Sequence, residues 1–264
     1  MTDSTSPSSC PHVPFASGHA APQARSRLLI TAGPTHEPID RVRFIGNRSS
    51  GRLGIALAEA AAAAGWQVTL LLGPTPRTPT DSRIRVHRFQ TTADLELLLS
   101  QHFPDCHVLV MAAAVADYRP RPAPPDADGK LKRDPAGLTL HLDPTPDLLA
   151  GCAARRDPSQ LLIGFALEPR ARMIDSARHK LARKRVDLIV ANPLETMDAD
   201  GIEAAVVGPS GSIASTPGII KKDLFAPWLL DVIHRALAAS TPTGSGPLSI
   251  PHPDGSPSAG TTPA

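Results

Sequence analysis

Five short apolar runs and one alternating run, most of them separated by a stretch with helical spacing, constrain this 264-residue chain more than any other feature. "RLLITAG" (27–33), "WQVTLLLG" (66–73), "HVLVMAAAV" (107–115), "QLLIGFAL" (160–167) and "VDLIVAN" (186–192) are apolar on both alternating faces, and "RIRVHRF" (83–89) alternates. Strands buried on both sides belong to parallel sheets with helices on each face. The intervening stretches supply the helices: about 51–64, then 92–102, 146–155, 172–184 and 221–238, the last with Pro227 as a potential kink. Two further segments read as hairpins. "KLKRDPAGLTLHLDP" (130–144) would turn at Asp134 to Gly137, and "AAVVGPSGSIAST" (204–216) at Pro209 to Gly211. The fold class expected is α/β: a Rossmann-like, mostly parallel sheet with helices on both faces and inserted β-hairpins.

Composition limits the rest. Residues 1–26 and 238–264 are rich in Pro, Ser, Thr and Gly, and such segments bury too little apolar surface to offset their ordering entropy. They are expected to be disordered tails around one domain, 27–237. No apolar run approaches the roughly 20 residues that span a membrane, and the N-terminus lacks the pattern of a secretory signal. Cys10, Cys106 and Cys152 have no metal-ligand spacing, which fits a reducing cytoplasm. A formal net charge of +2 gives no argument for nucleic acid, but local basic clusters favour small anionic ligands.

In an open α/β sheet, ligands collect beyond the carboxyl ends of the strands. Four loops there carry polar or small residues: "AGPTHEPIDRVRFIGNRSSG" (32–51) after the first strand, "AAAVADYRP" (112–120), "FALEP" (165–169) and "ANP" (191–193). The first holds "NRSSGRLG" (47–54) ahead of a helix. Its backbone N–H groups suit an anion, with Gly51 and Gly54 allowing close approach. Ser49 or Ser50 equally suits an ordinary helix cap. Only G-x-x-G is present, not the dinucleotide fingerprint G-x-G-x-x-G, and "LLLGPTP" lacks the acid that a nicotinamide enzyme places on the ribose. Arg43 and Asn47 sit in a loop longer than a connector needs. Lys130 and Lys132 would share a face of an edge strand, where charge also serves to block aggregation. Lys180 and Lys184 lie one helical turn apart, the spacing of a solvated face as well as of an anion clamp. Asp117 follows "AAAVA", as a site carboxylate or as a turn residue.

At these residues the chain resembles a known family. "ITAGPTHEPIDRVRFIGNRSSGRLG", "AAAVADYRP", "GKLKR", "PTPDLLA", "IGFALE" and "KLARKRVDLIVAN" follow one another as in the phosphopantothenate–cysteine ligases of coenzyme A biosynthesis. The long first motif is highly specific, and the likeness covers nearly all of 27–237. It is closest in pattern to the bacterial, CTP-dependent branch. The resemblance implies that phosphopantothenate attacks the α-phosphate of CTP, giving an acyl-cytidylate and pyrophosphate, and that cysteine then displaces CMP. It further implies that Asn47 holds the acyl-cytidylate and that Arg43 steadies the loop or the substrate anion. Gly51 would shape the phosphate site, and Lys130 would meet phosphate charge during activation. Asp117, Phe165, Lys180 and Lys184 would complete the nucleotide site. Magnesium would accompany the nucleotide, with protein ligands the sequence does not identify. A homodimer is implied, the opening loop completing the site, with a flavin-dependent decarboxylase as a separate chain.

Three positions depart from the family pattern. Gly46 replaces a serine, Thr145 replaces the asparagine of "NPD", and Pro169 stands where many members continue "ET". Two other readings compete: an NAD(P)-dependent Rossmann-type reductase, and an inactive nucleotide-binding relative.

Overall fold

The computed structural model describes residues 26–121, 129–197 and 199–240. The predicted tails lie outside these residues, apart from Ser26 and the end of the last helix, which continues to Ser240 past the expected boundary at Leu237.

In chain order the elements are β1 (Arg27–Ala32), β2 (His36–Pro38), β3 (Phe44–Gly46), α1 (Arg52–Ala63), β4 (Gln67–Leu72) and β5 (Arg85–Arg88). There follow α2 (Thr92–His102), β6 (Val108–Met111), β7 (Tyr118–Pro120), β8 (Leu142–Pro144), α3 (Leu148–Ala154) and β9 (Leu161–Glu168). The last are α4 (Met173–Lys184), β10 (Leu188–Pro193), β11 (Gly201–Ile202), β12 (Ala205–Gly208), β13 (Gly211–Ser215), β14 (Ile220–Lys221) and α5 (Lys222–Ser240).

The main sheet has eight strands in the order β13-β12-β10-β9-β6-β1-β4-β5. Six of them, from β10 to β5, pair in parallel, while β12 and β13 add an antiparallel edge. Numbered along the chain, the parallel six run 3-2-1-4-5-6 across the sheet, the doubly wound Rossmann order. The reversal falls between β1 and β6, so the crevice for a ligand opens above the carboxyl ends of those two strands.

Alternation along β1 splits the core in two. Leu28 and Ile30 join α1 and α5 on one face, with Leu57, Ala58, Ala61, Phe225, Leu229 and Ile233 all buried. Leu29 joins α2, α3 and α4 on the other, with Leu95, Leu99, Leu149, Cys152 and Ala177. The alanines of α1 let that helix lie close to both β1 and β4. A capping box fixes the start of α2: Thr91 Oγ1 accepts from Asp94 N at 3.1 Å, and Asp94 Oδ2 accepts from Thr91 N at 2.9 Å. The predicted 204–216 hairpin forms as β12 and β13, and α5 runs through Pro227 as one helix.

The 130–144 hairpin does not form. Its turn is present, with Gly137 N donating to Asp134 O at 3.0 Å, but no strand precedes it. Leu142–Pro144 pairs instead with Tyr118–Pro120, far back along the chain. The backbone of Leu131 is already committed to side chains, its N–H to Asp40 Oδ2 at 3.2 Å and its carbonyl to Arg43 Nη2 at 2.9 Å. Lys130 therefore lies on an exposed loop and not on an edge strand.

Candidate active site

A cleft of about 760 Å³ opens above the carboxyl ends of β1, β6, β9 and β10. Asn47, Gly51, Asp117, Phe165, Lys180 and Lys184 all line it. Six basic residues (Arg48, Arg52, Lys180, Arg183, Lys184 and Lys222) share the lining with two acidic ones, Asp117 and Asp147. The lining therefore carries more cationic than acidic side chains although the chain as a whole is nearly neutral.

Its floor is the alanine-rich segment after β6, and hydroxyl groups hold that backbone in place. Thr31 Oγ1 accepts from Ala113 N at 3.1 Å and Thr35 Oγ1 from Ala116 N at 2.9 Å, both threonines being fully buried. Thr145 donates from Oγ1 to Ala116 O at 2.6 Å, and its own N–H reaches Asp117 O at 2.9 Å. The departure at Thr145 thus has a defined place, bracing the floor from the β8–α3 connection. Asn47 Nδ2 donates to Val115 O at 2.9 Å and hangs the opening loop over the same segment. Asp117 lies beyond the end of β6, exposed, just before β7.

One wall is the start of α1. Gly51, not a serine, is its N-cap, at φ +69°, a left-handed conformation that other residues adopt only with strain. No side chain among the described residues caps this helix, so its first N–H groups and positive dipole end face the cleft. Gly54 has a packing role that the sequence does not display. A Cβ there would lie 2.5 Å from Ala32 Cβ, so this glycine serves close packing of α1 on β1 as well as lining the cleft.

The opposite wall comes from α4, whose two lysines each hold a carboxylate. Lys180 Nζ is 2.6 Å from Glu168 Oε1, and Lys184 Nζ is 2.9 Å from Asp147 Oδ1. Burial alone would raise the Asp147 carboxyl, but the Lys184 ammonium and the Ala150 N–H outweigh it and bring its pKa below the usual value. Lys222, at the start of α5, lines the cleft and donates from Nζ to Thr196 O at 3.4 Å. Sequence reasoning passed over Arg52, Arg183 and Lys222, because helix-end cations look alike in one dimension whether they face water or a cleft.

Arg43 and Lys130 do not line the cleft of this chain. They sit together on an arm built from the β2–β3 and β7–β8 ribbons, which pack on each other through β2 and β7. Arg43 binds the Asp40 carboxylate and the Leu131 carbonyl. That guanidinium, helped by the N–H groups of Val42, Arg43 and Leu131, holds the Asp40 carboxyl far below its usual range, against a smaller opposing effect of burial. The arm is anchored at its root. Glu37, 3% exposed, accepts on Oε1 from Thr92 N at 2.8 Å and from Thr92 Oγ1 at 2.6 Å. Val42, Phe44, Tyr118, Leu138 and Leu142 remain exposed on or beside the arm.

Among the described residues there is no group of three or more His, Cys, Asp or Glu side chains placed to hold a metal ion, and no helix is long and apolar enough to cross a membrane. Cys106 and Cys152 are buried free thiols in the core beneath α2 and α3.

Sheet order and cleft together define a doubly wound α/β domain with a cleft lined by basic residues at its topological switch point. The chain belongs to the family of the DNA/pantothenate metabolism flavoprotein C-terminal domain, whose model matches residues 23–237. A cysteine/cysteine sulfinic acid decarboxylase from an unknown prokaryotic organism is 45% identical over 169 residues, 64% of this chain and 46% of that protein. The coenzyme A biosynthesis bifunctional protein CoaBC of Mycobacterium tuberculosis is 43% identical over 178 residues, 64% of this chain and 42% of that protein. The chain thus matches somewhat less than half the length of these two relatives. The crystal structure of the C-terminal domain of a CoaBC protein superposes with a TM-score of 0.68 at 33% identity, covering 81% of this chain and 96% of that one.

Proposed function

We propose that this domain joins phosphopantothenate to cysteine in coenzyme A biosynthesis, with CTP as the activating nucleotide. The observation that carries the reading is the convergence of Asn47, the uncapped start of α1 and the α4 lysines on one cationic cleft. The similarity to the C-terminal domain of CoaBC supports the pathway.

The chemistry needs such a cleft. A carboxylate is a poor acyl donor until one of its oxygens becomes a phosphate leaving group. Phosphopantothenate would attack the α-phosphate of CTP, pyrophosphate would leave, and the resulting acyl-cytidylate would yield to the cysteine amine, releasing CMP. The first step brings a carboxylate up to a polyphosphate, and cations from several elements lower that repulsion. Lys180 and Lys184 would exchange Glu168 and Asp147 for triphosphate oxygens. Asn47, oriented by Val115 O, would hold the acyl-cytidylate through its carboxamide. Phe165 and Asp117 would complete the nucleotide site. Magnesium would enter with the triphosphate as its counter-ion, bound mainly by phosphate oxygens.

The arm accounts for Arg43 and Lys130. Its exposed Val42, Phe44, Tyr118 and Leu142 suit contact with a second copy of the chain. In a homodimer the arm would carry Arg43 and Lys130 to the partner's cleft. The setting proposed is a reducing cytoplasm, in keeping with the free thiols. A flavin-dependent decarboxylase would then act on the product, on another polypeptide or elsewhere in a longer one.

The test is pyrophosphate release from CTP, expected only when phosphopantothenate is supplied and without any need for cysteine. Failure to form the acyl-cytidylate at all would sink the proposal. Running ATP beside CTP decides the nucleotide, and NADPH binding without CTP binding would turn the reading towards a reductase.

A further inference from the structure

Arg52 is the first residue of α1 and lines the cleft, yet its guanidinium is occupied. Nη1 donates to Asp200 Oδ1 at 2.8 Å, and Nη2 lies 3.6 Å from Asp223 Oδ1. The two carboxylates come from neighbouring elements on the lip. Asp200 immediately precedes β11, and Asp223 is in the first turn of α5. β11 pairs with β14, and Lys222 N donates to Asp200 O at 3.1 Å, so this lip is one connected unit.

The three groups differ sharply in setting. The Asp200 and Asp223 side chains are 95% and 73% exposed, whereas Arg52 is 31% exposed, laid against the cleft. Carboxylates so well hydrated gain little from an ion pair and lose little when it opens. A guanidinium presents a planar fork that can bind two oxygens of one phosphate at once, whereas here Nη1 meets one carboxylate at 2.8 Å and Nη2 lies 3.6 Å from the other, beyond a good hydrogen bond. The uncapped start of α1 adds its own positive end at the same place. The balance therefore tips when a polyphosphate enters.

We infer that Arg52 is a phosphate-binding residue of the cleft, held between Asp200 and Asp223 until a nucleotide polyphosphate displaces them. The inference rests on the nucleotide reading proposed above. It goes beyond it by naming a cation from the α1 wall and the two carboxylates that compete for it. The lip carboxylates would then act as a built-in competitor that sets how tightly the cleft holds CTP and how readily it releases pyrophosphate.

Calorimetric titration of the full chain with CTP and with inorganic pyrophosphate, at one fixed ionic strength, tests this. Arg52→Gln is expected to weaken both ligands about tenfold or more, and Arg52→Lys to restore part of the loss. The double variant Asp200→Asn, Asp223→Asn is expected to tighten both by about two- to fivefold, because the competitor has gone. A bridge with only a structural role predicts the reverse for the double variant, a lower melting temperature and weaker binding. Unchanged or weaker binding by a folded double variant overturns the inference, as does Arg52→Gln binding like the unmodified chain. Should the double variant not fold, Asp223→Asn alone is read in the same way. If the unmodified, folded chain binds neither ligand, the nucleotide reading itself falls; if it binds both and only the variants disagree, that reading stands and this inference does not.

Discussion

The Asn47 carboxamide donates to the Val115 carbonyl at 2.9 Å, joining the opening loop to the alanine-rich floor across 68 residues of sequence. This bond fixes which way the carboxamide faces: one N–H is committed to Val115, and the oxygen and the second N–H are the groups left for a ligand. Asn47→Asp keeps the shape but sets a carboxylate against a carbonyl. Losing such a bond costs about 1–3 kcal/mol, so amide formation is expected to fall at least about fivefold while CTP binding changes by less than about threefold. Parallel assays of product formation and of CTP binding check this; unchanged turnover would remove Asn47 from the site.

Glu37 is the arm's root. Its Oε1 accepts twice from Thr92, and the side chain is almost wholly buried. Glu37→Ala leaves a buried N–H and a hydroxyl without their acceptor, which is expected to cost about 1–3 kcal/mol in denaturant unfolding. Glu37→Gln keeps an oxygen in place and is expected to cost less than half as much. Equal losses in the two variants would show that packing, and not the acceptor, matters here.

The difference between what the sequence displayed and what it hid follows the range of the interactions. The parallel core was readable because each strand and helix carries its own local period, and α2 begins and ends where "TADLELLLSQH" does. The cleft was readable in outline because strands of a parallel sheet all deliver their loops to one edge. The misplaced hairpin at 130–144 had a genuine local turn, but its second half pairs with Tyr118–Pro120, and Asp40 and Arg43 take the backbone of Leu131. No window of sequence contains that competition. The packing role of Gly54 stayed hidden for a similar reason, since a ligand and the neighbouring strand require the same missing side chain. Thr31, Thr35 and Glu37 gave no signal at all, because burial of a short polar side chain is visible only once its partner is known.

Asp40 gives the arm a defined response to acid. Its carboxyl is held far below the usual range, first by Arg43 and then by three backbone N–H groups. A group whose pKa is depressed on folding contributes stability above its unfolded value, and that contribution disappears as pH falls towards the folded one. The Asp40 contacts are therefore expected to be intact from neutral pH down to about 4, near the ordinary aspartate value of about 3.9, and to weaken only below it. Hydrogen-exchange protection factors of the Val42 and Leu131 amides report this directly. Asp40→Asn should lower both throughout the range in which the carboxylate is ionised. Loss of protection already near pH 5 in the unmodified chain would contradict the assignment.

Two glycines in helices separate close packing from helix propensity. At Gly54 an added Cβ would lie 2.5 Å from Ala32 Cβ and 3.4 Å from Thr31 O, and neither β1 nor the alanine methyl has room to yield. Gly54→Ala must push the start of α1 off the sheet, at a cost of about 1–3 kcal/mol. The displaced turn carries Gly51 and the N–H groups that face the cleft, so affinity for CTP should fall along with the melting temperature. At Gly151, exposed in α3, an added Cβ meets nothing within 4 Å. There the alanine side chain only restricts the unfolded chain, and Gly151→Ala should stabilise by about 0.5–1 kcal/mol with CTP binding unaltered. Thermal denaturation of both variants, with and without CTP, gives the comparison. If Gly54→Ala were as stable as the unmodified chain, α1 would not be seated on β1 as closely as Ala32 requires, and the cleft wall it forms would have to be drawn elsewhere.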